Sequence, residues 1–520
     1  MQVRCQMSCL LAGVVGLFVG LSVDLPHAVA QDPDTATTLT AIQQNLIEVI
    51  SRTERSVVAV ARFELPGLSR LPETLPGLRL GVRPRTPRER LNVPGHPDFL
   101  PNDYGTGLII PGGKEGPKLL ILTNYHVVRG APIDPESASS TSRLTIQFNN
   151  RRHCVSRIYA ADPRSDLAVL ALDDKELESA GLRASDLVPF KLTVPPAPRK
   201  GQIVLLLGNP WAIARDGSPS ASWGLLSNIG RFPSVEGRRD APDRSVHQLG
   251  TLLQIDARLN LGTSGGAVLN LRGQLVGMTT SLAALDGAET SAGYAVPINS
   301  WMLRIIGSLQ EGFEVEYGFL GIQPEDVGTR DLRQYNSGRF RQVTAARAAR
   351  IVSGSPADAG GLEPDDLVLA IDGRPVGGRY DLMREISLAG PGVLVRLRVW
   401  RESETRQLDL TVRLGKWPVD DEDAIVAPRA RRPAWRGLAI DFPTARRRFT
   451  PGFRYPQGIV ITGVAAGSPA AAAKLEPGDF IARVDETPVR TPAEFTRAVQ
   501  ARSGGVTLHL LDGRRIELSP

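Results

Sequence analysis

Cysteine is nearly missing from this chain of 520 residues, with only Cys5, Cys9 and Cys154 present. The first two fall in an N-terminal segment read below as a leader. One cysteine therefore remains, no intrachain disulfide can form, and the fold must rest on packed cores. Histidine is also sparse at six. His153, beside Cys154, has no partners at zinc-ligand spacing, so no metal and no cofactor are expected. Aromatics make up 5% of the chain and do not interleave with the arginines as a nucleic-acid groove requires, so no nucleic-acid partner is expected. No Gly-x-x-x-x-Gly-Lys-Ser/Thr loop occurs, which removes the usual signature of ATP use. Past residue 30, no apolar run approaches the length needed to span a bilayer.

What is present points to several β-rich domains. The length suggests two to four. Hydrophobic residues at 42% and charged residues at 22% are sufficient for real cores and argue against global disorder. The 52 glycines and 40 prolines supply many turns. Net charge is +6 and the pI about 9.4. The excess gathers in Arg83 to Arg90, Arg429 to Arg436 and Arg446 to Arg448, which read as solvated linker sequence rather than a polyanion site. At the N-terminus, Arg4, the apolar run Leu10 to Val23 and the small-x-small site Ala28-Val29-Ala30 read as a secretory signal over residues 1–30, with an uncleaved anchor as the alternative. The mature chain is then exported, to the periplasm or beyond the cell.

Along the chain, apolar residues at helical spacing predict a helix over Thr38 to Arg55, within an N-terminal segment 31–55. A strand follows at Ser56 to Ala61, then a Pro/Arg-rich surface loop over 64–104. Short strands are predicted at Thr106 to Ile110, Leu119 to Leu122, Leu144 to Phe148, Leu167 to Leu172, Ile203 to Leu207, Leu252 to Ile255, Ala267 to Leu269 and Leu275 to Met278. Many short strands between Gly, Pro and Asp turns indicate barrels or a sandwich. The C-terminal third repeats itself. Gly354 to Val376 recurs as Gly467 to Val489 at a constant offset of 113 residues, with about half the positions identical. Residues 417–433, acidic and then basic, read as a linker between the copies.

Ser264 stands among glycines in Gly262-Thr-Ser-Gly-Gly266. Such a turn can expose a hydroxyl while its backbone N–H groups converge beside it, a pairing that acyl transfer requires. A plain glycine-rich turn reads the same way in isolation. His126 ends the apolar strand Leu120 to Thr123, where it is either a core histidine or a base. Asp166 opens the strand Leu167 to Leu170 as either a turn residue or the carboxylate that orients an imidazole. Asp162, followed by Pro163, is the competitor and reads as a solvated turn residue. The order His126, Asp166, Ser264 is that of the chymotrypsin-like arrangement, in which the first two groups belong to one barrel and the serine to a second. A barrel boundary is then expected between Asp174 and Arg199.

Together, Leu122-Thr-Asn-Tyr-His-Val-Val128, Ser165-Asp-Leu-Ala-Val-Leu170 and Gly262 to Gly266 resemble the three catalytic motifs of HtrA/Deg-type serine proteases. Leu207 to Pro210, Trp223 to Arg231 and Ala292 to Pro297 resemble further loops of that family, and the two repeats resemble its PDZ domains. The resemblance implies a mainly β chain: a chymotrypsin-like double β-barrel protease domain over 56–312, a PDZ domain over 313–416, and a second over 434–520, each a small α+β unit. It implies Ser264 as nucleophile, His126 as general base, Asp166 as orienting carboxylate, and the amides of Gly262, Thr263 and Ser264 as the oxyanion hole. Arg258, Ala292, Gly293, Tyr294 and Ala295 would line the substrate pocket, although Arg258 either enters it or faces solvent. Peptide tails would bind at Phe319, Leu320, Gly321 and Ile322. The second copy would use Leu438, Ala439 and Ile440, with Ala439 in place of the second glycine. The chain departs from the family at Thr263, usually Asn, and at Leu261 and Ala267, both usually Pro. The implied activity is ATP-independent cleavage of unfolded or damaged proteins by a homo-oligomer, a trimer or a multiple of one. A peptide-binding chaperone or scaffold with little cleavage is the alternative.

Overall fold

The computed structural model describes residues 33–64, 101, 103–133, 142–209, 217–232, 245–257, 259–280, 292–336, 342–452, 454–500, 502 and 504–520. The signal segment, most of the Pro/Arg-rich loop and Arg258 lie outside the described residues.

Helix α1 spans Pro33–Thr53. Six strands then close into an antiparallel barrel: β1 (Val57–Glu64), β2 (Asp103–Pro111), β3 (Leu119–Asn124), β4 (Ser142–Gln147), β5 (His153–Asp162) and β6 (Leu167–Ala171). Its order is β1-β2-β3-β6-β5-β4. Closure removes free sheet edges, and the interior is filled by Val58, Val60, Ile109, Ile121, Leu144, Ile146, Ile158 and Leu170. A second six-stranded barrel holds β7 (Ile203–Gly208), β8 (Ser220–Arg231), β9 (Leu252–Ile255), β10 (Ala267–Leu269), β11 (Leu275–Thr280) and β12 (Gly293–Pro297), in the order β10-β11-β12-β9-β8-β7. The connection between barrels runs from Leu172 to Gln202. The double barrel implied by the family resemblance is therefore present, and it decides between barrel and sandwich.

After the helix Ser300–Gln310 come two similar units. The first has the sheet order 322–327, 345–351, 367–371, 394–401, 406–413; the second has 438–441, 459–464, 480–484, 506–510, 515–518. In each, one helix packs on the sheet, Arg379–Ala389 and Pro492–Gln500 respectively.

Of the basic segments expected to be solvated, Arg83 to Arg90 lies outside the described residues, whereas Arg429 to Arg436 and Arg446 to Arg448 carry ion pairs. Val426 exchanges backbone hydrogen bonds with Ala161 and is buried in the first barrel's core. Arg432 meets Glu316 at 2.8 Å, Arg446 meets Glu314 at 2.7 Å, and Arg429 pairs with Glu115 and Glu311. At their centre lies Lys416, 2% exposed, with Asp441, Glu314 and Glu316 at 2.7, 3.0 and 3.3 Å. The arginine excess matches acidic residues of neighbouring units, which a composition count cannot reveal.

Candidate active site

Three short segments from the two barrels meet at one seam. β3 ends at Asn124 and the chain turns into a single helical turn, Tyr125–Val128, which carries His126. Asp166 sits just before β6 with φ of +53°, a left-handed conformation that asparagine and aspartate tolerate better than most residues. The pairing of β3 with β6 places the two residues side by side. His126 Nδ1 lies 2.7 Å from Asp166 Oδ2, and its backbone N–H donates to Oδ1 at 2.9 Å. Asn124 Nδ2 donates to the same carboxylate at 3.1 Å.

With Nδ1–H donated to the carboxylate, Nε2 carries the lone pair. Nε2 is buried and makes no hydrogen bond among the described residues. Burial pulls the His126 pKa down, but the charge and hydrogen bond of Asp166 outweigh it, so the net shift is upward. The ring is thus a base held in one tautomer.

Ser264 belongs to the second barrel, on the turn before β10, and is 2% exposed. Its turn is pinned onto the first barrel by Thr106. The Thr106 amide donates to the Ser264 carbonyl at 2.7 Å, and its hydroxyl donates to the Gly262 carbonyl at 2.8 Å while accepting from the Asn209 amide at 2.8 Å. Gly265 permits this approach: φ is +87°, and a Cβ there would lie 1.9 Å from the Thr106 carbonyl oxygen. Thr106 escaped the sequence reading. The only local signal was its place between Gly105 and Gly107.

Other expected site residues are redistributed. The Thr263 amide donates within its own turn to the Asn260 carbonyl at 3.2 Å, so it is not aimed outward. Ala295 lies in the second barrel's core with Val204, Leu253 and Val268, because β12 alternates and this position faces inward. Among the described residues, its side chain therefore packs into the core. Gly293 pairs with Ile255, where a Cβ would lie 2.6 Å from the Ala257 carbonyl. Ala292 and Tyr294 are half-buried beside it. Asp162 is not solvated. It is 3% exposed, accepts from the Ser165 amide at 3.0 Å and hydroxyl at 2.6 Å, and accepts from the Tyr317 hydroxyl. Burial raises its pKa, and its carboxylate is engaged by Ser165 and Tyr317.

In the first PDZ-like unit, Phe319, Leu320, Gly321 and Ile322 line a cavity of about 330 Å³ with Leu382, Met383 and Ile386. Arg164, Trp417 and Tyr455, from outside that unit, also line it. These three were missed because they are distant in sequence. Gly321 has φ of +85° and faces Ser355, the N-cap of the short helix Pro356–Ala359. In the second unit the matching residue is Gly437, at φ +87° and facing Ser468. The expected correspondence was therefore two residues out of register. Ala439 does not replace the second glycine; Gly437 fills that role, preceded by Trp435 and Arg436. Leu438 is buried in that unit's core, and Ile440 packs against it. The offset between the copies changes from 113 to 116 at this loop, which the longer repeat had hidden.

Comparison with known proteins agrees with this architecture. Residues 105–278 match a trypsin-like peptidase domain, and residues 318–412 and 460–511 each match a PDZ domain. A probable periplasmic serine endoprotease, DegP-like, of Pseudomonas fluorescens is 28% identical over 445 residues, covering 84% of this chain and 82% of the relative. The periplasmic pH-dependent serine endoprotease DegQ of Escherichia coli is 26% identical over 425 residues, covering 81% of each. Among solved structures, the HtrA-type protease AlgW with decapeptide aligns with a TM-score of 0.48 at 22% identity, covering 72% of this chain and 99% of that one. Motifs, double barrel and domain matches converge: the chain is an exported, periplasmic serine endopeptidase, a trypsin-like peptidase domain followed by two PDZ domains, and is similar to the DegP-like and DegQ endoproteases.

Proposed function

We propose that Ser264, His126 and Asp166 form the catalytic triad, and that the protein degrades unfolded or damaged proteins whose tails its PDZ domains capture. The observation that carries the reading is the buried His126 Nε2, without a partner among the described residues, on a ring whose other nitrogen is held by Asp166.

In this mechanism the Ser264 hydroxyl attacks the scissile carbonyl carbon and its proton passes to His126 Nε2. Asp166 stabilises the imidazolium without taking the proton. The oxyanion is met by the amides of Gly262 and Ser264; Thr263, turned into its loop, is left out of the set. Donors of this kind are worth about 3 kcal/mol each. Nε2 then protonates the leaving amine, which departs and leaves an acyl-Ser264 ester. Water, deprotonated by the same nitrogen, releases the second product.

Peptide capture rests on edge strands. Strand Ile322–Val327 is outermost in its sheet, as is Leu438–Asp441, so each can accept an added strand. The cavity beside Phe319 and Ile322 would take an apolar terminal side chain. Self-association, as a trimer, fits the exposed Leu39, Ile42 and Ile47 on α1.

Mature chain incubated with unfolded casein tests the reading. Wild type is expected to cleave it, to spare the folded protein used as control, and to lose cleavage with Ser264→Ala while still binding casein. Equal cleavage by wild type and Ser264→Ala would overturn the assignment. Binding without cleavage by wild type would favour a chaperone.

A further inference from the structure

Among the described residues, the proposed chemistry leaves one fully buried histidine unused. His247 lies in the 3-10 turn Val246–Leu249 of the second barrel and is 0% exposed. Its Nε2 is 2.8 Å from the Ser165 carbonyl oxygen, and its Nδ1 is 2.9 Å from the Thr251 hydroxyl. A carbonyl only accepts, so Nε2 bears the proton and Nδ1 accepts from Thr251. Burial, the largest influence, lowers the His247 pKa, in keeping with a neutral ring making one donation and one acceptance.

Ser165 immediately precedes Asp166, so this hydrogen bond fixes the peptide plane that leads into the left-handed aspartate. The residues beside His247 grip the same turn. The Val246 amide and Ser245 hydroxyl donate to the Arg164 carbonyl at 2.8 and 3.0 Å. Residues 245–247 of the second barrel thereby hold two successive carbonyls of the first. Left-handed non-glycine residues persist only where their surroundings over-determine them. On the far side the Asp166 carbonyl accepts from the Tyr125 amide at 2.9 Å, and its carboxylate meets His126. Asp166 and His126 are the titratable groups whose charge acts on His247.

We propose that His247 is a positioning residue: from the second barrel it holds the Arg164–Asp166 turn in the conformation from which Asp166 orients His126. The assignment rests on the triad proposed above. It makes the catalytic carboxylate sensitive to the docking of the two barrels, and not only to its own strand.

The test compares steady-state cleavage of a peptide substrate by wild type, His247→Leu and His247→Gln between pH 5 and 9, with Asp166→Asn and Ser264→Ala as controls. Leucine removes the donor, whereas the glutamine amide can still donate to the Ser165 carbonyl. His247→Leu is expected to lower kcat about 10- to 100-fold with KM within about twofold, since misplacing a catalytic group by about 1 Å costs this much. Its acid limb should move to lower pH, because Asp166 would raise the His126 pKa less. His247→Gln should recover most of kcat and the limb. A folded His247→Leu with wild-type kcat and limb overturns the proposal, and so does equal loss in both variants with an unmoved limb. If His247→Leu fails to fold, Thr251→Val replaces it; it should lower kcat and shift the limb the same way, and no change in either refutes the idea. Retained activity in Asp166→Asn or Ser264→Ala would instead refute the triad, a separate failure.

Discussion

Asp166→Asn probes the site with almost no change in shape. The Asp166 carboxylate accepts from His126 Nδ1 at 2.7 Å, from the His126 amide at 2.9 Å and from Asn124 Nδ2 at 3.1 Å. Asparagine keeps one acceptor oxygen. The amide at His126 would keep that oxygen, so the new NH2 would face Nδ1. Two donors cannot pair, so the imidazole shifts its proton to Nε2. That atom must be empty to take the Ser264 proton. For a triad of this geometry the wrong tautomer costs about 10⁴ in kcat, or about 5 kcal/mol of transition-state stabilisation. The pH profile adds a second readout. Burial lowers the His126 pKa and Asp166 reverses that to a net rise. Without the charge only burial remains, so the acid limb of residual activity should move to lower pH. Hydrolysis of a chromogenic peptide between pH 5 and 9, with a matched thermal melt, measures both. A folded variant that keeps more than about a tenth of wild-type kcat, with its acid limb in place, refutes the reasoning.

Further outcomes follow from the other buried groups. Lys416→Met should cost about 3–5 kcal/mol in thermal unfolding, since it leaves Glu314, Glu316 and Asp441 buried without their central cation; an unchanged midpoint would contradict the buried cluster. Burial alone would raise the Glu314 pKa, but Arg446 and Lys416 hold it down at about 2. A depressed carboxyl contributes stability above its unfolded pKa, and that contribution is lost as pH falls through the folded value. Glu314→Gln should therefore flatten the decline in stability between pH 4.5 and about 2 in an acid titration followed by circular dichroism. Gly321→Ala would set a Cβ 2.2 Å from that of Ser355 at φ +85°, so titration calorimetry should show loss of binding of an apolar C-terminal peptide. Burial, with Glu176 and Asp173, pushes the Cys154 thiol up to about 12. Ellman's reagent at pH 8 should leave the native protein unmodified and react once guanidinium unfolds the first barrel.

What the sequence disclosed was local. His126, Asp166 and Ser264 were legible as candidates because each lies in a short segment whose strand or turn context is set by its neighbours. The double barrel was legible through their order, and the repeat through its constant spacing. What escaped depends on contacts between distant segments. Asp162 looked like a solvated turn residue because nothing nearby shows Tyr317 covering it. His247 carried no local motif, yet it reaches the carbonyl beside Asp166. The arginines of 429–448 looked like linker charge because their carboxylate partners stand about a hundred residues earlier, at Glu314 and Glu316. The register of the second PDZ domain slipped because Leu-x-Ile occurs in both copies, whereas the matching glycine is marked only by its φ and by a facing serine. Thr106 is the plainest case: a small residue between glycines whose amide and hydroxyl hold the Gly262–Ser264 turn.

The central claim is that Ser264 is a nucleophile activated by His126. Labelling of the mature protein with a fluorophosphonate, followed by peptide mass spectrometry, tests it most directly. The account predicts one adduct, on Ser264, that is lost in Ser264→Ala and strongly slowed in His126→Ala. An adduct on another residue, or labelling of Ser264 at an unchanged rate without His126, would contradict it.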